Sequence, residues 1–304
     1  MGIFKIKKNS TKIIFKNNSM FSWSKKYAWV PTSFEIKKKN NIVIFYGSRN
    51  KENKTQTGYL IFNIKKNKVI FNTKKPVIKI GVLGEFDESL ALGTSIIKTK
   101  KEYYFYYVGW TNPKSTRYLP YIGLAKSKKN FSFKKNSEPL LSRTRNEPYG
   151  CMSPFVLNEK DKFKMWYGAI RKWIKKKSGE TIPIYNLSYA ESKNGINWNL
   201  KKKNVLKLNA STTAARPYVL KYNREYHMWH SERKYQKEYL IKYSTSKNGI
   251  DWISKNFKVP TLNKFNDKSS CYPCVFQNNK KFYFLFNGNN YGKTGIAISE
   301  LFYE

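Results

Sequence analysis

The chain has 304 residues, of which 40% are hydrophobic and 17% aromatic; that is ample for a packed core and far from the profile of a disordered chain. No apolar run approaches the roughly 20 residues that span a bilayer, and the start, MGIFKIKKNSTKIIFKNN, has neither a secretory h-region nor the Ser or Thr of a myristoylation site, so a cytoplasmic location is expected. The formal net charge of +40 allows a polyanion partner, or it reflects a composition in which Lys, Asn and Ile are inflated together.

In chain order, two short apolar stretches, Ile3 to Ile6 and Ile13 to Phe15, precede the first hairpin pattern, which runs from Pro31 through Val43 to Arg49. Similar hairpins follow at Gly93 to Trp110, Pro154 to Ala169, Pro217 to Arg233 and Pro273 to Asn289. In each, a short aromatic and β-branched run, a polar turn and a second such run argue two antiparallel strands. With Pro31, Leu92, Pro154, Pro217 and Pro273 as anchors, the steps are 61, 62, 63 and 56 residues. A near-constant period of this size means a repeat architecture.

Several units continue into a second hairpin: Tyr121 to Phe133, Tyr185 to Trp198 and Tyr239 to Trp252 align with one another. Asn194-Gly195 and Asn248-Gly249 predict type I′ turns, which need φ > 0 at both central residues, and the aromatic that follows each is expected to fold back on its own sheet. Four strands per unit, five units and no sustained helical period predict a single domain, residues 1–304, built as an all-β five-bladed β-propeller. The last unit is short after Gly292 to Ser299, so the N-terminal segment is expected to supply its missing strand and close the ring.

The lysines gather in predicted turns (Lys37 to Lys39, Lys100 and Lys101, Lys128 and Lys129, Lys175 to Lys177, Lys201 to Lys203, Lys280 and Lys281) spread over the repeats, not in one segment. That spacing favours solvated turns over a nucleic-acid surface, and no nucleic-acid module is recognisable. Cys151, Cys271 and Cys274 cannot build a disulfide framework. With only His227 and His230 beside them they make a poor zinc set, so buried free thiols are expected, with no metal and no cofactor.

In a propeller the loops entering and leaving the innermost strands gather at one mouth. Those segments hold Asp87, flanked by Glu85 and Glu88, with Glu147 and Glu232, drawn from only 19 acidic residues. They also hold Arg49, Arg143, Arg145, Arg216, Arg233, Trp110, Trp173, Asn287 and Asn289. The stripe Met165-Trp166-Tyr167 reads as core.

Several of these motifs carry a resemblance: Glu85 to Ser89, Tyr106 to Trp110, Ser153 to Val156, Met165 to Tyr167, Tyr189 to Trp198, Arg216 to Val219, and Tyr272 to Phe276 with Asn287 to Gly295. Over nearly its whole length the sequence resembles the five-bladed propeller glycoside hydrolase superfamily, which includes arabinanases, β-xylosidases, invertases and mannoside phosphorylases. It resembles most closely bacterial members associated with surface-polysaccharide biosynthesis. The resemblance implies a carbohydrate-active enzyme acting on a glycosidic or sugar-phosphate bond, with a carbohydrate or sugar-phosphate ligand. Its two-carboxylate chemistry maps onto Asp87 and Glu147, with Glu232 in reserve; Arg49, Trp110, Arg143, Arg145, Arg216, Arg233, Asn287 and Asn289 become candidate substrate contacts. The sequence departs from the hydrolase pattern at the entry to the first unit, Ser24 to Pro31, which has no carboxylate. That departure favours phosphate-linked transfer served by arginines, with at least two guanidinium groups expected to converge on Asp87 or Glu147. The alternative is a glycan-binding propeller that has lost the acid–base pair. Oligomeric state is left open.

Overall fold

The computed structural model describes residues 2–17, 21–36, 40–129, 131–160, 162–235 and 237–304; the predicted lysine turn at Lys37 to Lys39 lies outside them. The described residues are almost entirely β. The strands are β1 (Phe4–Ile6), β2 (Lys12–Phe15), β3 (Lys26–Glu35), β4 (Asn41–Arg49), β5 (Thr55–Asn63), β6 (Lys68–Asn72), β7 (Leu90–Lys98), β8 (Tyr103–Thr111), β9 (Leu119–Ser127), β10 (Lys134–Lys135), β11 (Cys151–Glu159), β12 (Lys162–Lys175), β13 (Thr181–Ser192) and β14 (Asn199–Lys202). They continue with β15 (Thr212–Tyr222), β16 (Glu225–Lys234), β17 (Leu240–Ser246), β18 (Ile253–Lys255), β19 (Cys271–Asn278), β20 (Lys281–Asn287) and β21 (Ile296–Tyr303). One helical turn, α1 (Asn289–Gly292), and one 3₁₀ turn (Asn263–Phe265) complete the elements. Among the described residues no helix is long and apolar enough to cross a membrane.

Consecutive strands pair antiparallel in runs of four: β3 to β6, β7 to β10, β11 to β14 and β15 to β18. The first two runs are joined into one eight-stranded sheet by a parallel bridge between Thr55 and Leu90. The fifth group, β19-β20-β21, is extended by β1, which pairs Phe4 with Tyr303, and β2 also pairs with β21. None of these sheets closes on itself among the described residues.

The core lies between sheets. One cluster sets Tyr106, Ile122 and Leu124 against Val156, Met165 and Tyr167, and the next sets Trp166, Leu187 and Tyr189 against Val219, Tyr226 and Met228. A third packs Ile42, Ile44 and Leu60 of β4 and β5 against Phe276, Leu285 and Ile298 of β19 to β21. Consecutive groups therefore share apolar faces, as alternating two-sided strands require.

The Asn-Gly loops correct one expectation. Gly195 and Gly249 have positive φ (73° and 77°), but Asn194 and Asn248 do not. Instead, the Asn194 Oδ1 accepts from the amides of Ile196 and Asn197, and the Ser192 hydroxyl accepts from those of Asn194 and Gly195. These side chains satisfy backbone donors in a longer loop, so no tight hairpin forms. Of the aromatics expected to fold back on their own sheet, Phe133 does so, meeting Phe105 of its own group, whereas Trp198 packs on Tyr106 and Trp252 on Trp166 of the preceding group. Tyr106 and Trp166 in turn donate to the carbonyls of Gly195 and Gly249 at 2.9 and 2.7 Å, pinning each loop to its neighbour.

The first strand of each group carries a register shift beside its anchor: Trp29/Thr32, Gly93/Ser95, Met152/Phe155, Ala215/Tyr218 and Cys271/Cys274. At four of these bulges a non-glycine residue has positive φ: Val30, Ser153, Arg216 and Tyr272. All four precede a proline, whose ring disfavours the α region for the residue before it. Bulges re-aim side chains: Val30, Ser153 and Tyr272 line the cavity described below, and Arg216 is buried.

Candidate functional site

The strands β3, β7, β11 and β15 and the segments following β4, β8, β12, β16 and β20 surround a cavity of about 690 Å³. Its inner wall is apolar, built from Trp29, Val30, Leu90, Leu92, Val108, Met152 and Ala215. Trp29 lies so close to Gly47 that a Cβ there would come within 2.7 Å of the indole nitrogen. Glycine at this position is what lets the ring lie flat.

Higher on the wall, Trp110 stacks on Tyr118 with ring centroids 4.6 Å apart and planes 16° apart. The Tyr118 and Tyr185 hydroxyls are hydrogen-bonded to each other, and Trp173 meets Tyr118 edge-on from outside the lining. Offset aromatic surface of this kind is suited to the apolar face of a sugar ring, and the phenol groups can hydrogen-bond its hydroxyls.

Three guanidinium groups line this cavity, Arg49, Arg117 and Arg233, and the first and last rest on aromatic rings. Arg49 lies over Tyr27 and Trp29, at 4.8 and 5.0 Å from the ring centroids, and Arg233 lies over Tyr239 at 4.9 Å. Neither makes a salt bridge among the described residues. Burial opposes the charge on Arg233, but the phenols of Tyr239, Tyr291, Tyr118 and Tyr272 more than offset it, and its pKa lies above the ordinary arginine value. The carboxylates in the lining are Glu52, Glu180 and Glu238, all exposed at the rim. Glu180 pairs with Lys176 at 2.6 Å and Arg117 at 3.3 Å; the Lys176 bond holds its carboxyl below the ordinary range.

The carboxylates singled out in the sequence lie elsewhere. Asp87, 1% exposed, accepts from the Tyr107 hydroxyl at 2.9 Å and pairs with the Lys135 ammonium at 2.8 Å. Gly109 makes the room, since a Cβ there would stand 2.6 Å from the Asp87 Cβ. Glu147, also buried, accepts from the hydroxyls of Tyr167 (2.7 Å) and Ser188 and pairs with Arg171 at 3.2 Å. The two sites are repeats of one device. A carboxylate before the first strand of its group binds a tyrosine 20 residues later, on the second strand. Burial, with the carboxylate beside it, drives each phenol's pKa far upward. Glu232 accepts from His230 Nε2 at 3.4 Å; that bond, ahead of any other influence, lowers its carboxyl pKa. None of these three carboxylates is part of the cavity lining.

None of Arg49, Arg143, Arg145, Arg216 and Arg233 makes a salt bridge to Asp87 or Glu147 among the described residues. The cations there are Lys135 and Arg171, brought in by β10 and β12, whose depth in the fold no loop count conveys. Of the predicted substrate contacts, Arg49, Arg233 and Trp110 line the cavity, whereas Arg143 and Arg145 are exposed in the loop before β11. Asn287 is fully buried and staples two segments: its Oδ1 accepts from the Val30 amide at 2.8 Å, and its Nδ2 donates to the carbonyls of Ala28 and Gly295. Asn289 does the same for the loop at Lys264 to Ser269. Arg216 lies beneath the lining, 1% exposed. Sequence reasoning missed Tyr118; Tyr272 and Tyr291 lay in its motifs without being singled out, and Tyr185 and Tyr239 open the aligned second hairpins. All three cysteines are free and buried.

No family model matches the sequence. It is 26% identical over 295 residues to the uncharacterized protein Rv1502 of Mycobacterium tuberculosis, covering 95% of this protein and 97% of that one. Among solved structures it is similar to a glycoside hydrolase (TM-score 0.76, 16% identity, 97% of this protein and 92% of the other covered). A glycosyl hydrolase from Bacteroides ovatus follows (0.72, 13%, 99% and 93%). So does a structure from the GH130 family of mannoside phosphorylases, which contains glycoside hydrolases that target β-1,2 mannosidic linkages in Candida mannan (0.68, 12%, 98% and 93%). At these identities the likeness is one of fold: the protein shares the overall β-architecture of these structures.

Proposed function

We propose that the protein is a five-bladed propeller, its ring closed by β1 and β2 on β21, whose axial cavity binds an acidic carbohydrate. In this reading the sugar ring stacks on Trp110 and Tyr118, and Arg49 and Arg233 hold its anionic group. One observation carries the reading: two guanidinium groups line a sugar-sized cavity on aromatic faces, with no carboxylate paired to either among the described residues. Although Arg233 also hydrogen-bonds the Tyr239 hydroxyl, an arginine without a carboxylate partner has further donors for a ligand anion. Glycosidases of the usual kind need two carboxyl groups flanking the scissile bond. Asp87, Glu147 and Glu232 are engaged outside the cavity, which supports binding over hydrolysis.

A second reading, phosphate-linked glycosyl transfer, is favoured by Glu52 and Glu238. Both stand on the rim without a salt bridge among the described residues, in the same cavity as the two arginines. Calorimetric titration of uronate-containing and matched neutral oligosaccharides tests the binding reading. Binding of the acidic series alone, lost in Arg49→Gln and Arg233→Gln, is expected; equal binding of both series would refute it. Release of phosphate or of a new reducing end, abolished by Glu52→Gln or Glu238→Gln, would favour the transfer reading.

A further inference from the structure

A second group of charges stands on the rim of the same cavity. β12 and β13 are the longest of the described strands, with 14 and 12 residues, and they pair out to Lys175 and Thr181, so their turn carries Lys176 and Glu180 into the cavity lining. The Lys176 amide donates to the Glu180 carbonyl at 2.8 Å and the Gly179 amide to the Lys176 carbonyl at 2.9 Å, which brings the two side chains together. Arg117, also in the lining, reaches the same carboxylate from the turn between β8 and β9. Glu180 Oε2 accepts from Lys176 Nζ at 2.6 Å, and Oε1 accepts from Arg117 Nη1 at 3.3 Å.

This carboxylate differs from the enclosed Asp87 and Glu147. Its side chain is 44% exposed, and an ion pair so open to solvent is weak, so a competing anion can displace it at little cost. The hairpin does not depend on it for its place. The Arg117 amide donates to the Thr181 hydroxyl at 2.8 Å, and the Tyr118 and Tyr185 hydroxyls are bonded to each other. After the Lys176 bond and charge, the charges of Arg117 and Arg233 also lower the Glu180 pKa, so the carboxylate lies in the field of a cavity arginine. Glu180 thus sits as a ligand carboxylate would, with one oxygen on each of two cations in the cavity wall.

We propose that Arg117 and Lys176 form a second anion subsite on the cavity rim, held by Glu180 in the free protein and by a second uronate unit of the carbohydrate in the complex. The subsite rests on the acidic-carbohydrate reading above and narrows its ligand to oligosaccharides with two carboxylates.

The test is calorimetric titration of three trisaccharides that differ only in carrying no, one or two uronate units. Wild type is expected to bind the two-uronate sugar more tightly than the one-uronate sugar. Glu180→Gln, which vacates the subsite, should tighten the two-uronate sugar by roughly two- to five-fold, the worth of an exposed ion pair that no longer has to be broken, and leave the neutral sugar unchanged. Arg117→Gln should bind the one- and two-uronate sugars alike. Glu238→Gln removes the same charge from the same rim and should give a smaller gain; an equal gain there reveals a general field and overturns the subsite. Weaker binding of all three sugars by Glu180→Gln would make Glu180 a support of the wall, and overturns it as well. If the one-uronate sugar binds but the second uronate adds nothing in either wild type or Glu180→Gln, the subsite fails and the acidic-carbohydrate reading stands. If neither acidic sugar binds, both fail.

Discussion

Glu147 and Arg233 sit in opposite electrostatic settings. The Glu147 carboxylate is enclosed by the hydroxyls of Tyr167 and Ser188 and the guanidinium of Arg171. Arg233 rests on the Tyr239 ring in a cavity whose acids stay at the rim. The same contrast holds between Asp87 with Lys135 and Arg49 between Tyr27 and Trp29. The interior carboxylates tie a loop to the second strand of its group, while Arg49 and Arg233 in the cavity make no salt bridge among the described residues. Location beside a propeller mouth therefore says little about role; the partner set says much more.

The sharpest way to break this contrast is to remove an interior lock. Glu147→Ala strands Arg171 beside a vacated carboxylate site and is expected to destabilise the fold by about 3–5 kcal/mol, read as a lowered denaturant midpoint. A variant that keeps its midpoint but loses a measurable turnover would return Glu147 to the catalytic candidates.

On the cavity side, Arg233→Gln is expected to weaken acidic-glycan binding by roughly 10–100-fold, the worth of a hydrogen bond to a charged group. Its melting temperature should fall only modestly, because a cation–π contact of about 0.5–2 kcal/mol and a hydrogen bond to the Tyr239 hydroxyl of about 0.5–1.5 kcal/mol are lost. A large loss of stability with binding intact would make Arg233 a structural residue like Arg171.

A smaller effect is expected from pH, through His227. Burial lowers its pKa, and its Nδ1 accepts from the Tyr243 hydroxyl (2.6 Å), which in turn accepts from the Phe4 amide of β1. Because the folded value lies below the unfolded one, the unfolded state takes up the proton first. Stability is then unaffected by this group above about pH 6.5 and falls as pH drops from there toward the folded value. Tyr243→Phe removes the link to β1; an unchanged acid limb in His227→Phe would exclude His227 as its source. The smallest change is expected at the exposed Glu180, whose ion pairs are screened by solvent. Glu180→Gln should leave the denaturant midpoint almost where it is, and a clear drop would place that rim pair among the structural locks.

The architecture was legible because it is periodic. Anchors at Pro31, Leu92, Pro154, Pro217 and Pro273 all fall in the first strand of their group, and the short last unit is where β1 and β2 pair. Local signals failed where a side chain competed with the backbone: Asn194 and Asn248 read as tight turns but bind amides two and three residues on. The site was legible in part. Arg49, Trp110 and Arg233 were found because they end second strands at the mouth, and Tyr272 stands directly before the Pro273 anchor, whereas Tyr118 carries no pattern that separates it from the many tyrosines of the core.

What the sequence determined by itself was the alternation of apolar and polar residues, the repeat and hence the pairing of neighbours, since these follow from covalent spacing and burial. Which acids face the ligand cavity and which are buried between strands was decided only by tertiary structure. A one-residue shift at each bulge turns a side chain from one face to the other, and the cation that meets it comes from a strand far along the sequence: Lys135 lies 48 residues beyond Asp87, and Arg171 lies 24 beyond Glu147.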